Sequence, residues 1–292
     1  MTVTARPHDK SGYLNQPFRL FHLHDQVDRT FDFHYHDFYK VIFFLSGKVT
    51  YHIEGKAYHL APGDILLVNR FDIHKPEIDP LVPYERYILW AKEEACTYAA
   101  PYQCDLFTCF QKASSRSYRL IRLERERQTA FLQLARSLEI ALSSQEFGAG
   151  PLSLALFIQL MISLNRVFLD KQYIRDRHSY TYDPGIEDLM RYINQNLTAD
   201  LSADTLARQC YLSKYHLMRK FKEETGCTLH QYVQNKRLFL ARSLIHQGTP
   251  VTKASQECGF HDYTAFSRAY KKLFHCTPSQ KASSSLEAVT LE

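Results

Sequence analysis

"LARQCYLSKYHLMRKFKEETGCTL" (206–229) and "ASQECGFHDYTAFSRAYKKLFHCTP" (254–278) are two versions of one pattern, and they decide the fold of the last third of this chain. At an offset of 49, Ser213 meets Asp262, Leu217 meets Phe266, Arg219 meets Arg268, Phe221 meets Tyr270 and Lys222 meets Lys271. Each half predicts a short helix, a tight turn, a capping Ser or Asp, and a second helix with a basic outer face. Gly259 in the second turn can take a positive φ at little cost. The pattern is a helix-turn-helix written twice.

A second helix presented end-on can enter the major groove and read base edges from its first turns. In the first copy the cap Ser213 is followed by Lys214, Tyr215, His216 and Arg219. In the second copy the candidates are Tyr263, Thr264, Ser267 and Arg268. Lys222, Lys271 and Lys272 lie further along, where a helix leaves the groove floor, and suit phosphates. Leu217, Phe221, Phe266 and Tyr270 are core positions whether or not DNA is bound. "LHQYVQNKRLFLARSLIHQG" (229–248) would hold both units on one body, addressing adjacent major grooves roughly 34 Å apart. Charge agrees: residues 201–281 carry 13 Lys/Arg against 5 Asp/Glu, while residues 1–100 carry 11 against 13. A solvated basic face would give the same count, so the paired motif and not the charge carries the inference.

Residues 186–281 resemble the paired DNA-binding domain of AraC/XylS-type transcription regulators, through "LSADTLARQCYLSKYHLMRKFKEETG", "RLFLARSLI" and "CGFHDYTAFSRAYKKLFHCTP". The resemblance implies reading helices at 213–224 and 262–274, with double-stranded promoter DNA as partner. It further implies an activator rather than a repressor, and RNA polymerase as a second partner of an activator. The chain departs from the family pattern at Tyr211, where a turn Gly is frequent, at His275, and after Pro278, where "SQKASSS" follows.

Upstream, "FDFHYH", "YKVIFFLSG", "VTYHIEG", "KAYHL" and "DILLVN" are short, rich in β-branched and aromatic residues, and punctuated by Gly47, Gly55 and Pro62-Gly63. They predict an antiparallel barrel or jelly roll. The fold class expected is β followed by all-α: an antiparallel β-barrel over 1–117, which resembles a cupin through "HYHDFYK" (34–40) and "GKAYHLAPGDILLVN" (55–69), a helical hairpin over 118–170, a linker over 171–185, the double helix-turn-helix over 186–281 and a tail over 282–292. In 118–170, Leu120, Leu123, Phe131, Leu134, Leu138 and Leu142 recur at threes and fours, which predicts an amphipathic helix. Its stripe is read as a homodimer seam, the alternative being a face packed on its own barrel. No apolar run is expected to reach the roughly 18 residues of a membrane helix. The first ten residues lack a signal-peptide core and seven scattered cysteines suit a reducing compartment, so the cytoplasm is expected.

"HYHDFYK" (34–40) places His34 and His36 on one face of a strand, with Lys40 where metal-dependent cupins, which this region resembles, have a carboxylate. His74 lies where a further ligand would be sought. A lysine repels a divalent cation when charged, so no metal and no cofactor is expected. Alternation puts Lys40 with Ile42 on one face and Val41 with Phe43 on the other, without saying which is inward. Two readings stand: His34, His36, Lys40 and His74 bind a small polar effector, a sugar or related metabolite by family resemblance, or the histidines are bonded locally and Lys40 meets solvent. The rival from another class is a cupin-type metalloenzyme, an isomerase or dioxygenase, with a helical appendix. A DNA repair or architectural protein built from the same helical pairs is a further rival. No Ser-His-Asp or Cys-His arrangement and no phosphate loop is visible.

Overall fold

The computed structural model describes residue 14 and residues 16–26, 31–96, 102, 104–116, 118–170, 180–246, 248–274, 276–280 and 289–290. The strands are β1 (Phe18–Asp25), β2 (His34–Tyr35), β3 (Tyr39–Ser46), β4 (Val49–Ile53), β5 (Lys56–His59), β6 (Asp64–Val68), β7 (His74–Ile78), β8 (Tyr84–Ala91), β9 (Leu120–Arg122), β10 (Tyr180–Tyr182) and β11 (Val289–Thr290). They form two antiparallel sheets, ordered β1-β8-β3-β6-β9 and β10-β5-β4-β7-β2-β11. The sheets face each other but share no ladder, so the expected closed barrel is instead an open pair of cupin-like sheets.

Why "VIFFL" lacks the alternation of a half-exposed strand is clear from what covers β3. Ile42 and Phe44 point between the sheets, against Tyr51, Ile53 and Leu66. Val41 and Phe43 point the other way, into a core shared with Phe131, Leu138 and Phe157. Both faces are dry, so both parities are apolar. The helices on that outer face are α1 (Thr108–Arg116), α2 (Arg125–Ser143) and α3 (Ala149–Leu169).

Three expectations for this region need correction. Leu120 and Leu123 do not begin the amphipathic helix: Leu120 packs between the sheets and Ile121 under the helices, which is a strand's period of two. Phe131 and Leu138, offered as a dimer seam, are buried in the chain's own core, and Leu134 packs beside them. Finally, α3 has 21 residues, and an 18-residue stretch of it has a mean hydropathy of 1.8, long and apolar enough to cross a membrane by length and composition. Phe157, Leu160, Met161, Leu164 and Phe168 are nevertheless fully packed, as in the core helix of a globular domain.

The linker expected over 171–185 falls partly outside the described residues, at 171–179. Its end is ordered as β10, where Thr181 pairs with Ala57 at the edge of the second sheet. Asp183 then caps α4 (Pro184–Gln195) by accepting from the Ile186 N–H at 3.0 Å. Within the tail, Val289 and Thr290 pair with β2, and 282–288 lie outside the described residues.

The paired motif folds as α5 (Ala203–Gln209), α6 (Lys214–Thr225), α7 (Leu229–His246), α8 (Val251–Glu257) and α9 (Tyr263–Phe274). The offset of 49 holds only after the turns. Before them it is 48: Cys210 N–H bonds to Leu206 as Cys258 N–H does to Ala254, and Leu212 N–H to Ala207 as Phe260 N–H does to Ser255. The second turn therefore has one extra residue before its cap. Tyr211 consequently matches Gly259 in conformation: their φ angles are 54° and 80°. Gly259 is also required sterically, because a Cβ there would lie 2.9 Å from the Leu197 carbonyl oxygen. Tyr211 has no such crowding and is almost wholly exposed, so a side chain is tolerated at the cost of left-handed backbone.

Candidate nucleic-acid interface and sensor site

Each reading helix is aimed by its own cap and core. Ser213 accepts from the His216 N–H at 3.3 Å, and Asp262 from the Thr264 N–H at 2.7 Å. Leu217 and Phe221 anchor α6, and Phe266 and Tyr270 anchor α9, all in one core with Tyr232 and Leu238 of α7. What remains outward is the predicted set. Ser213, Lys214, Tyr215, His216, Arg219 and Lys222 are exposed on α6 and its cap; Tyr263, Thr264, Arg268, Lys271 and Lys272 are exposed on α9, and Ser267 is half-buried.

Both arginines are held only loosely. Arg219 lies 3.9 Å from Glu223, and Arg268 donates to its own helix at 3.4 Å, so each can turn to an incoming acceptor. Lys214 is more committed, at 2.7 Å from Asp204. Arg237 of α7 braces the two units: it donates to the carbonyls of Leu197 at 2.8 Å, Ala199 at 2.7 Å and Gly259 at 3.0 Å. One guanidinium thus ties the α4–α5 connection to the second turn. His275, the departure before "CTP", lies outside the described residues.

In the sensor sheets the structure brings His34, His36, Lys40 and His74 together. The His74 ring centroid is 4.3 Å from that of His34 and 4.8 Å from that of His36. The three Nδ1 atoms bond the carbonyls of Asp32 at 3.0 Å, Phe38 at 2.8 Å and Asp72 at 2.8 Å. A carbonyl only accepts, so each Nδ1 carries the hydrogen and each neutral ring offers its lone pair at Nε2. Lys40 Nζ takes the one on His74, at 3.0 Å. The Nε2 of His36 is buried with no partner among the described residues.

Lys40 therefore points inward with Ile42, not to solvent. Burial pushes its amine down to about 7. Burial, followed by the Lys40 charge, pushes His34 down to about 4 and holds His36 and His74 well below the usual imidazole value. As a donor set this fits a divalent cation poorly. No carboxylate is present to offset charge, and the amine already uses the His74 lone pair that a metal would need. Among the described residues no group of three His, Cys, Asp or Glu is spaced to hold a metal ion.

Sequence reasoning missed the seam between sensor and helical domains. Glu54, at the tip of the β4–β5 hairpin, accepts from the Ile73 N–H at 2.9 Å, Tyr232 O–H at 2.6 Å and Lys236 Nζ at 3.1 Å. Phe71 stacks on Phe239 of α7 at 4.0 Å, and Tyr35 meets the same ring edge-on. Asp37 receives Arg70 at 2.7 Å and Arg242 at 3.4 Å. Glu54 and Tyr232 are 178 positions apart, and no periodicity or spacing couples residues at that range.

A polar cavity of about 510 Å³ opens along this seam, between the β4–β5 edge, α1, α4 and α7. Its walls include Glu54, Arg119, Glu187 and Lys236.

A family described as an AraC-like ligand binding domain matches residues 16–161, and one described as a helix-turn-helix domain matches 206–283. The chain is 25% identical over 252 residues to the HTH-type transcriptional activator RhaR of Mannheimia succiniciproducens, covering 86% of each protein. To the HTH-type transcriptional activator RhaS of Salmonella schwarzengrund it is 26% identical over 246 residues, covering 84% of this chain and 85% of that one. Sensor sheets docked on paired reading helices, with the AraC-like ligand binding family matching half of the chain and a helix-turn-helix family matching 206–283, make this chain a member of the AraC family of transcriptional regulators.

Proposed function

We propose that the protein is a cytoplasmic activator of genes for a sugar or related small metabolite, reading its operator with α6 and α9. The observation that carries this is the exposed, matched pair Arg219 and Arg268, each nearly two turns past its cap, Ser213 or Asp262, on a braced helix. Arginine's planar fork can bond two acceptors on one guanine, whereas Lys222, Lys271 and Lys272 sit further along and serve phosphates. The names of the relatives support activation, and with it contact to RNA polymerase.

The effector is taken by the sensor domain, with His34, His36, Lys40 and His74 as its polar contacts. The unpartnered Nε2 of His36 supports this, since a buried acceptor without a donor is costly. A homodimer forms through 118–170, by the outward face of α2 and α3 rather than by Phe131 and Leu138. Ile140, Phe147 and Leu152 are exposed there, at 69%, 108% and 54%. Titrating the purified chain against the promoter fragment upstream of its own gene and against a scrambled duplex tests the reading. At least about a thousandfold preference is expected. Equal affinity for both duplexes at moderate salt refutes it.

A further inference from the structure

We propose that the cavity between the two domains is a second ligand site, for a small hydrophilic anion carrying a carboxylate or phosphate on a hydroxylated skeleton. Its walls supply five cationic residues and three carboxylates. Each carboxylate is already engaged: Glu54 by Tyr232 and Lys236, Asp72 by Arg119 at 3.0 Å, and Glu187 by Lys56 at 2.9 Å. The walls therefore hold more cations than carboxylates, with Arg70 shared with Asp37 and Glu93, and Arg191 with Asp188, all outside the cavity.

The sharper observation is Arg119, which lines the cavity and is 8% exposed. Its Nη2 serves Asp72, while its Nη1 has no hydrogen-bond partner among the described residues. A buried guanidinium N–H without an acceptor is expensive, and an oxyanion in the cavity would supply one. Asn69 Oδ1, in the same wall, is likewise buried without a donor, which a ligand hydroxyl would provide. Ser114 and Ser115 sit exposed on α1 at the mouth. The volume suits one metabolite rather than a polymer.

The far wall belongs to α4 and α7 of the DNA-binding domain, so an occupant would touch both domains and favour their docked arrangement. That regulatory consequence rests on the activator reading above; the binding itself does not.

Calorimetric titration of the full chain with gluconate, glucose 6-phosphate, inorganic phosphate and glucose tests the site. Gluconate binding marks a carboxylate ligand, glucose 6-phosphate a phosphate one, and glucose should be silent. Ser115→Trp, which narrows the mouth and leaves every ion pair in place, should weaken the bound anion at least about tenfold. Arg119→Met should do the same, and Ser115→Trp decides alone where Arg119→Met does not fold. His34→Ala/Lys40→Met, which alters the sensor interior, should leave it unchanged. No heat with any of the three anions overturns the proposal. So does binding that survives Ser115→Trp, or that is lost only in the sensor variant. Failure of the activator reading would appear instead in the DNA titrations, with the calorimetry unaffected.

Discussion

Replacing Glu54 with glutamine removes one charge, and almost no volume, from the contact that ties sensor to DNA-binding domain. Glu54 and Lys236 are 10% and 13% exposed, so the pair is screened little by solvent. Removing one partner of a buried pair costs about 3–5 kcal/mol, mostly the penalty on the charge left behind. Lys236 opens on the cavity and also reaches the Phe71 carbonyl at 3.4 Å, so the lower end, about 3 kcal/mol, is expected. The amide has one acceptor oxygen where the carboxylate had two, and its NH2 must face either Tyr232 O–H or Ile73 N–H. That unmet donor adds about 1 kcal/mol. Urea unfolding of Glu54→Gln, Lys236→Met and the double variant measures the coupling, expected at about 2 kcal/mol or more. A coupling below about 0.5 kcal/mol refutes the claim that this pair holds the domains together. The acid limb gives a second check. Burial pushes the Glu54 carboxyl up, but Lys236, Tyr232 and the Ile73 N–H outweigh it and hold the group below its ordinary value. A carboxyl lowered on folding stabilises above its unfolded value and loses that contribution as pH falls through the folded one. Glu54→Gln should lack this acid-side loss.

Arg219→Ala or Arg268→Ala should weaken the cognate duplex about 10- to 100-fold and relax one base position, while Lys271→Ala should weaken cognate and scrambled DNA alike and lower the salt slope by about one. Binding titrations at several salt concentrations separate these, and equal losses on both duplexes for the arginine variants would show that they do not read bases. Ile140→Glu/Leu152→Glu should give monomers in sedimentation while folding normally, whereas Leu138→Glu, at a fully buried position, should unfold the sensor; a folded double variant that still dimerises puts the seam elsewhere. Lys40 has a folded value of about 7 against an ordinary 10.5, so between these the unfolded chain holds a proton that the folded one lacks. Relative to Lys40→Met, the parent should gain stability as pH rises through that window and show a constant difference below it; a flat difference in urea midpoints across the window would mean that Lys40 stays charged when buried.

The sequence by itself determined what depends on neighbours a few residues apart. Caps at Ser213 and Asp262, cores at Leu217, Phe221, Phe266 and Tyr270, and the outward arginines all follow from a period of 3.6 and a tight turn, and the structure places them so. Alternation likewise paired Lys40 with Ile42. It could not choose the inward face, because β3 is covered on both sides and only the packing of α2 and α3 on one and the second sheet on the other distinguishes them. The same limit misassigned Leu120 and Leu123: apolar residues at spacing three fit a helix on paper, and the ladder with β6 makes them strand and strand end. Tertiary structure alone brought His74 of β7 onto Lys40 of β3, and Tyr232 and Lys236 of α7 onto Glu54. Those pairings are set by how sheets and helices close over long chain separations, where residue spacing carries no signal and burial of shared surface decides which partners meet.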